Sequence, residues 1–318
     1  MTKDINFMKK NYIYIVISII IIIYSLFIQY RYKAYFFPSK KINYTPSDFN
    51  IPYKEINIDK LNGWLFKNQS INEINKVALT QLPKQVELTQ LPKQVELTQL
   101  PKKVEEIKPI KKLIIFYHGN AGNISNRIWI IKQLLEIFSD TDIFIYDYPQ
   151  FGLSSGQLSL TDIIKSAYAV YLYWSNKYKH ISLLGESIGA GVIAELFKLL
   201  VKTKHHNMPK VIIHLNGLTS LYGVINNIIP TIIKPFILPW ITEFDCETIY
   251  WQNVTKLPKL LILHTPNDEI ININLVYKLI KKLSYSENVH FIKIDGSHNQ
   301  PIIDSECIKK IRYIVNDF

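Results

Sequence analysis

The chain has 318 residues, 48% hydrophobic and 20% charged, and its 37 lysines and arginines against 26 acidic residues leave a net charge of +11. That length is ample for one large α/β domain with a real core. The excess charge is lysine, and the only arginines, Arg31, Arg127 and Arg312, are scattered, whereas nucleic-acid surfaces cluster arginine for bidentate contacts. Nucleic acid is therefore not an expected partner, and the charge is read as solubility plus attraction to anionic membrane surfaces. Cys246 and Cys307 have no metal-like spacing, so no metal and no other cofactor is expected, and a single disulfide between them stays open.

In chain order, residues 1–11 form a basic flank and residues 12–29 a nearly unbroken apolar run. A bilayer core takes roughly 20 helical residues, and tyrosines stand near both ends of the run, as an interfacial belt requires. Bulky Gln29-Tyr30-Arg31-Tyr32 follows, where a cleaved leader needs small residues. The run is read as an uncleaved transmembrane signal anchor, with basic residues on both sides leaving its orientation open. Residues 30–50 are a juxtamembrane link, and residues 51–318 are the main domain.

That domain opens with a hairpin, residues 53–58 and 63–66 across a 59–62 turn. Next, LTQLPKQVE at 79–87 recurs at 88–96 and, with one change, at 97–105. One proline every nine residues forbids a continuous helix, and the unit is too short and polar to stack as a solenoid. Residues 68–110 are therefore a low-complexity insertion, with 79–105 as a candidate docking tether.

Beyond it, short apolar runs alternate with helical periodicity. Strands are expected at 112–117, 142–146, 181–184, 211–215, 260–264 and 289–294, and helices at 128–138, 161–178 (capped by Thr161), 188–200, 273–283 and 301–315. A proline-punctuated apolar stretch at 216–255 is a candidate lid. This alternation predicts a mostly parallel sheet covered on both faces, with chemistry at the carboxyl ends of the strands.

Three chemistry-bearing residues fall at such ends. Ser187 sits in Gly185-Glu186-Ser187-Ile188-Gly189, a strand–turn–helix elbow, Asp268 follows the 260–264 strand, and His298 follows the last strand. A serine hydroxyl becomes a nucleophile when a neutral imidazole takes its proton and a carboxylate fixes the imidazole's tautomer. The order Ser, Asp, His is that of an α/β-hydrolase triad. An oxyanion needs two backbone donors, expected from Ile188 and from the 118–123 loop at Asn120. Asp295, three residues before His298, is a rival for the acid.

With HGNAGN at 118–123, YDYPQFGLSSG at 146–156, GESIGAG at 185–191, the Asp268 turn and GSHN at 296–299, the chain resembles the Bem46/ABHD13/ABHD17-like group of membrane-anchored α/β-hydrolase serine hydrolases. The resemblance runs from residue 43 to the C-terminus apart from the repeat. It implies that His298 is the base and His118 a structural loop histidine. Departures are Gln150 in place of a usual glycine, Thr265-Pro266 before the acid, and Asp295 before the histidine loop. The expected activity is hydrolysis of an ester or thioester through an acyl-enzyme, with a bilayer as partner and an acyl lipid or acylated protein as substrate. An amidase or peptidase, or a catalytically silent membrane scaffold, are the alternatives.

Overall fold

The computed structural model describes residues 35–67 and 111–316, together with residues 14, 15, 17–19, 22, 24 and 25. The 68–110 insertion with its repeat, and most of the 12–29 run, lie outside the described residues. Among the described residues no helix is long and apolar enough to cross a membrane.

The hairpin is present as β1 (Lys54–Ile58) and β2 (Leu61–Phe66). Its turn holds two residues rather than the four expected, because Asp59 takes a left-handed φ of 53°, a conformation aspartate tolerates better than most side chains. β3 (Lys112–Tyr117), β4 (Asp142–Tyr146), β5 (His180–Glu186), β6 (Val211–Leu215), β7 (Lys259–His264) and β8 (Val289–Lys293) complete an eight-stranded sheet in the order β8-β7-β6-β5-β3-β4-β2-β1. All neighbours are parallel except β2, which runs antiparallel to β1 and β4.

Parallel strands covered on both faces must be apolar on both. In β3, Leu113, Ile115 and Tyr117 enter one core while Ile114 and Phe116 enter the other. The first core is closed by α2 (Leu160–Ser175), α3 (Ile188–Lys202) and α7 (Ile273–Lys282), through residues such as Val170, Leu196 and Val276. The second is closed by α1 (Ile128–Ile137) and α8 (Ser305–Asn316), through Ile131, Leu134 and Ile311. The 216–255 stretch folds into α4 (Leu221–Ile228), α5 (Lys234–Ile237) and α6 (Cys246–Gln252), joined by 3-10 turns.

Two helix starts differ from expectation. Ser159, not Thr161, caps α2: its hydroxyl accepts the Asp162 amide at 3.0 Å from an extended backbone. The last helix starts at Ser305, because Pro301–Ile302 pairs antiparallel with Asp295–Gly296 instead. That small ribbon closes the loop on which His298 stands. Cys246 and Cys307 are free and buried, so no disulfide joins them.

Chain progression reverses at β3: β4 lies to one side of it, and β5 and its successors to the other. The carboxyl ends beside such a switch point form a ready crevice. Ser187 follows β5, which borders β3, and Asp268 and His298 follow the carboxyl ends of β7 and β8 on the same edge of the sheet.

Candidate active site

Ser187 joins β5 to α3 with φ 53° and ψ −123°, a backbone state non-glycine residues rarely occupy. Holding such a residue costs about 1–3 kcal/mol, which the surroundings must offset. They do so through three backbone bonds: Ser187 N–H donates to the Leu215 carbonyl at 3.2 Å, and its carbonyl accepts from Leu218 at 2.8 Å and Ala190 at 3.1 Å. Space decides the flanking glycines. A Cβ on Gly189 would stand 2.0 Å from the Tyr117 carbonyl oxygen, and one on Gly185 2.6 Å from the Ala190 nitrogen.

The His298 Nε2 lies 2.9 Å from Ser187 Oγ, and its Nδ1 lies 2.8 Å from Asp268 Oδ2. With an ionised acid, Nδ1 carries the proton and donates to Asp268, leaving Nε2 to accept from the serine hydroxyl. The other oxygen of Asp268 accepts the amides of Ile270 at 2.9 Å and Ile271 at 2.7 Å, which fixes the carboxylate's direction. Burial pushes this carboxyl up, but the hydrogen bond from His298 and the two amides outweigh it and hold the group below its ordinary range. The rival acid Asp295 is exposed; its backbone carbonyl accepts from Thr265 Oγ1 at 3.2 Å.

His264 flanks the acid, with Nε2 3.6 Å from Asp268 Oδ2. Its Nε2–H donates to the Ile271 carbonyl at 2.9 Å, and burial lowers its pKa, so it stays neutral. His118 is fully buried, its Nδ1 bonded to the Gly119 carbonyl at 2.7 Å, and burial together with the Arg127 charge drives its pKa well down. Burial pushes its neighbour Asp147 up to about 7. The 3.8 Å approach of His118 to Asp147 is thus a contact of two weakly charged groups rather than an ion pair.

Three features of the site were not anticipated from the sequence. The first is Asn216, at the end of β6 with φ 44°. Its Nδ2 donates to the Ser297 and His298 carbonyls at 3.1 Å each, and its Oδ1 accepts the Thr265 amide at 2.9 Å. One side chain thereby clips the acid loop to the histidine loop. The second is a buried pair, Glu186 with Arg127, at 2.9 Å. The same Glu186 oxygen accepts the Gly119 amide at 2.9 Å, while Arg127 donates to the Ala121 and Asn123 carbonyls. Together they mould the 118–123 loop beside the serine, where a Cβ on Gly119 would come 3.4 Å from the Ser187 Cβ.

The third is the segment of residues 35–41. Phe37 N–H donates to the Asn120 carbonyl and Ser39 N–H to the Gly122 carbonyl, both at 2.9 Å. Asn120 Nδ2 returns to the Tyr35 carbonyl at 3.0 Å, and Asn123 Nδ2 to those of Ser39 and Lys41. With its side chain and carbonyl so engaged, Asn120 has its backbone amide to offer an oxyanion. Gln150 has φ 72°, which explains why glycine is usual there. Only the strand-end position of Asn216 was a readable signal; apart from the local bonds of Arg127 to Ala121 and Asn123, the other contacts join residues 59 to 85 apart.

Solved structures share this architecture. The esterase Pf2001 of Pyrococcus furiosus is 15% identical with a TM-score of 0.58, over 89% of this chain and 98% of the esterase. An α/β hydrolase from Vibrio vulnificus is 13% identical with a TM-score of 0.58, over 87% and 86%. Est1E of Butyrivibrio proteoclasticus, solved with ferulic acid bound, is 16% identical with a TM-score of 0.51, over 83% and 97%. At these identities the likeness speaks to the α/β-hydrolase fold. An uncharacterized protein, R595, of Acanthamoeba polyphaga mimivirus is 28% identical over 232 residues, 65% of this chain and 74% of the viral protein. The sequence pattern of the steryl acetyl hydrolase family matches residues 14–218, a span that holds the 118–123 loop and the Ser187 elbow and stops short of Asp268 and His298, and the chain belongs to that family of hydrolases.

Proposed function

We propose that the protein is a membrane-anchored serine esterase that removes an acyl group, in the first instance an acetyl group, from a lipid alcohol such as a sterol. The hydrogen-bonded series Ser187–His298–Asp268 carries this reading. Ser187 Oγ attacks the acyl carbonyl as its proton passes to His298 Nε2, and the developing imidazolium is steadied by Asp268. The amides of Ile188 and Asn120 receive the oxyanion. The alcohol departs with the proton from His298, leaving an acyl-serine. Water then attacks with His298 as base, releasing the carboxylic acid and restoring the serine.

The family supports an acetyl ester of a sterol, and the 12–29 run supports anchoring in the membrane where such a lipid resides. The resemblance to the ABHD17-like enzymes adds a thioester of a lipidated protein as the second substrate class. The test offers detergent-solubilised full-length protein a steryl acetate, a short soluble ester and a palmitoyl thioester, each beside Ser187→Ala. Ester turnover abolished by Ser187→Ala is expected. Turnover that survives the substitution refutes the serine mechanism, and thioester turnover with inert esters refutes the steryl substrate.

A further inference from the structure

The 216–255 segment begins at the site, since the Leu218 amide donates to the Ser187 carbonyl. Its inner side is ordinary core, with Leu221, Val224, Leu238 and Ile241 buried. Its outer side is not: Ile228, Ile232, Phe236 and Trp240 are 68%, 80%, 74% and 42% exposed. Ile232, Phe236 and Trp240 recur at intervals of four through the consecutive helical turns of residues 231–240, which places them on one side of that stretch, and Ile228 ends α4 just before the extended Ile229–Pro230 bend. Between residues 221 and 242 the only charged side chain is Lys234. Single exposed apolar residues are unremarkable, but four large ones exposed within residues 228–240 mark an interaction surface.

Its neighbour indicates what covers it. The Trp240 ring packs against that of Tyr24 with centroids 4.6 Å apart, so this surface runs on into the N-terminal helix. The described residues of that helix, among them Tyr14, Ile15, Ile17, Ile19, Ile22 and Tyr24, are all at least one-third exposed. At 100° per residue these positions spread over more than half of the circumference. A protein groove takes one stripe of a helix, whereas lipid takes an apolar helix on every side. Tryptophan and tyrosine at the junction, with Lys234 in the same segment, are what a headgroup boundary receives. Residues 35–41 are themselves bonded to the 120–123 loop beside the site.

We propose that Ile228, Ile232, Phe236 and Trp240 form a bilayer-docking surface that seats the mouth of the site on the membrane, so that the ester enters from the lipid phase. The inference rests on the anchored reading and adds a second point of attachment, on the catalytic domain itself. Loss of the two most exposed of these side chains from the lipid is enough for about a tenfold effect.

The test uses the full chain reconstituted in phosphatidylcholine vesicles, with a polarity-sensitive fluorophore on Phe236→Cys. The native thiols of Cys246 and Cys307 are buried and do not compete. A control fluorophore goes on Tyr313→Cys, 77% exposed on α8 over the opposite face of the sheet. The fluorophore at 236 is expected to shift to the blue and to be quenched by lipids brominated in the acyl chain, while that at 313 is not. If the protein floats with the vesicles and both fluorophores are equally water-like, docking is overturned and anchoring stands. If 236 is shielded without lipid quenching, a second protein copy covers this surface and the proposal is wrong. Failure to float with the vesicles defeats both readings. In parallel, the pair Ile232→Ser and Phe236→Ser should slow hydrolysis of vesicle-embedded steryl acetate about tenfold and leave a soluble ester unchanged. Equal loss on both substrates, or loss on neither, contradicts the docking.

Discussion

Asn216→Asp is the most informative single change outside the proposed triad of Ser187, His298 and Asp268. Aspartate matches the shape of asparagine and tolerates the left-handed backbone found here, so the substitution isolates hydrogen bonding. It keeps an oxygen for the Thr265 amide but removes both donations, to the Ser297 and His298 carbonyls, and turns a carboxylate towards those oxygens. One buried and one partly buried acceptor that lose their donor cost about 1–3 kcal/mol each, so a loss of about 2–6 kcal/mol is expected. His298 stands on the loop that is released. A displacement near 1 Å between catalytic groups lowers rate by about a hundredfold, and kcat for a soluble ester should fall by between tenfold and that figure with KM little changed. Urea unfolding and steady-state kinetics on the same preparation measure both. A variant with wild-type stability and kcat within twofold would refute the idea that Asn216 clips the two loops together.

Gly189→Ala should abolish activity and lower yield of folded protein, because the new Cβ has no room beside the Tyr117 carbonyl; a soluble, active variant contradicts the close approach of α3 to β3. For Glu186 and Arg127, a double-mutant cycle of Glu186→Gln and Arg127→Met is expected to give a coupling of about 1–3 kcal/mol, and a coupling near zero means the pair does not hold the 118–123 loop. His214 is fully buried, and burial with the nearby His264 lowers its pKa to about 3. The unfolded chain therefore takes up a proton at His214 below about pH 6.5 while the folded chain does not, and stability contributed at this position falls as pH drops from there towards 3. The advantage of wild type over His214→Gln should shrink by about 1.4 kcal/mol per pH unit across that window. Asp147, raised to about 7, titrates in the opposite sense but equally in both proteins, so it cancels in the difference; a difference independent of pH contradicts a neutral His214.

Much of the fold is legible because parallel strands buried on both faces are continuous apolar runs, as in residues 112–117 and 211–215. The elbow is legible because steric demand at Gly185 and Gly189 leaves a local trace. Boundaries are harder. Ser159 and Thr161 both offer a hydroxyl to cap α2, and the spacing of Ser159 from Asp162 was the better signal. Pro301 suits a helix start, but the left-handed Gly296 turns the chain back so that Pro301–Ile302 pairs with Asp295–Gly296. The supports of the site are least legible, since Asn216 meets His298 across 82 positions and Asn120 meets Tyr35 across 85. No local pattern encodes such contacts; tertiary packing makes them.

The central claim is that Ser187 becomes acylated with His298 as its base. Intact-protein mass spectrometry with peptide mapping, after exposure to a fluorophosphonate, tests it most directly. The account predicts one adduct on Ser187, absent from Ser187→Ala and slowed at least a hundredfold in His298→Ala. An adduct on another residue, or equal labelling of wild type and Ser187→Ala, would contradict it.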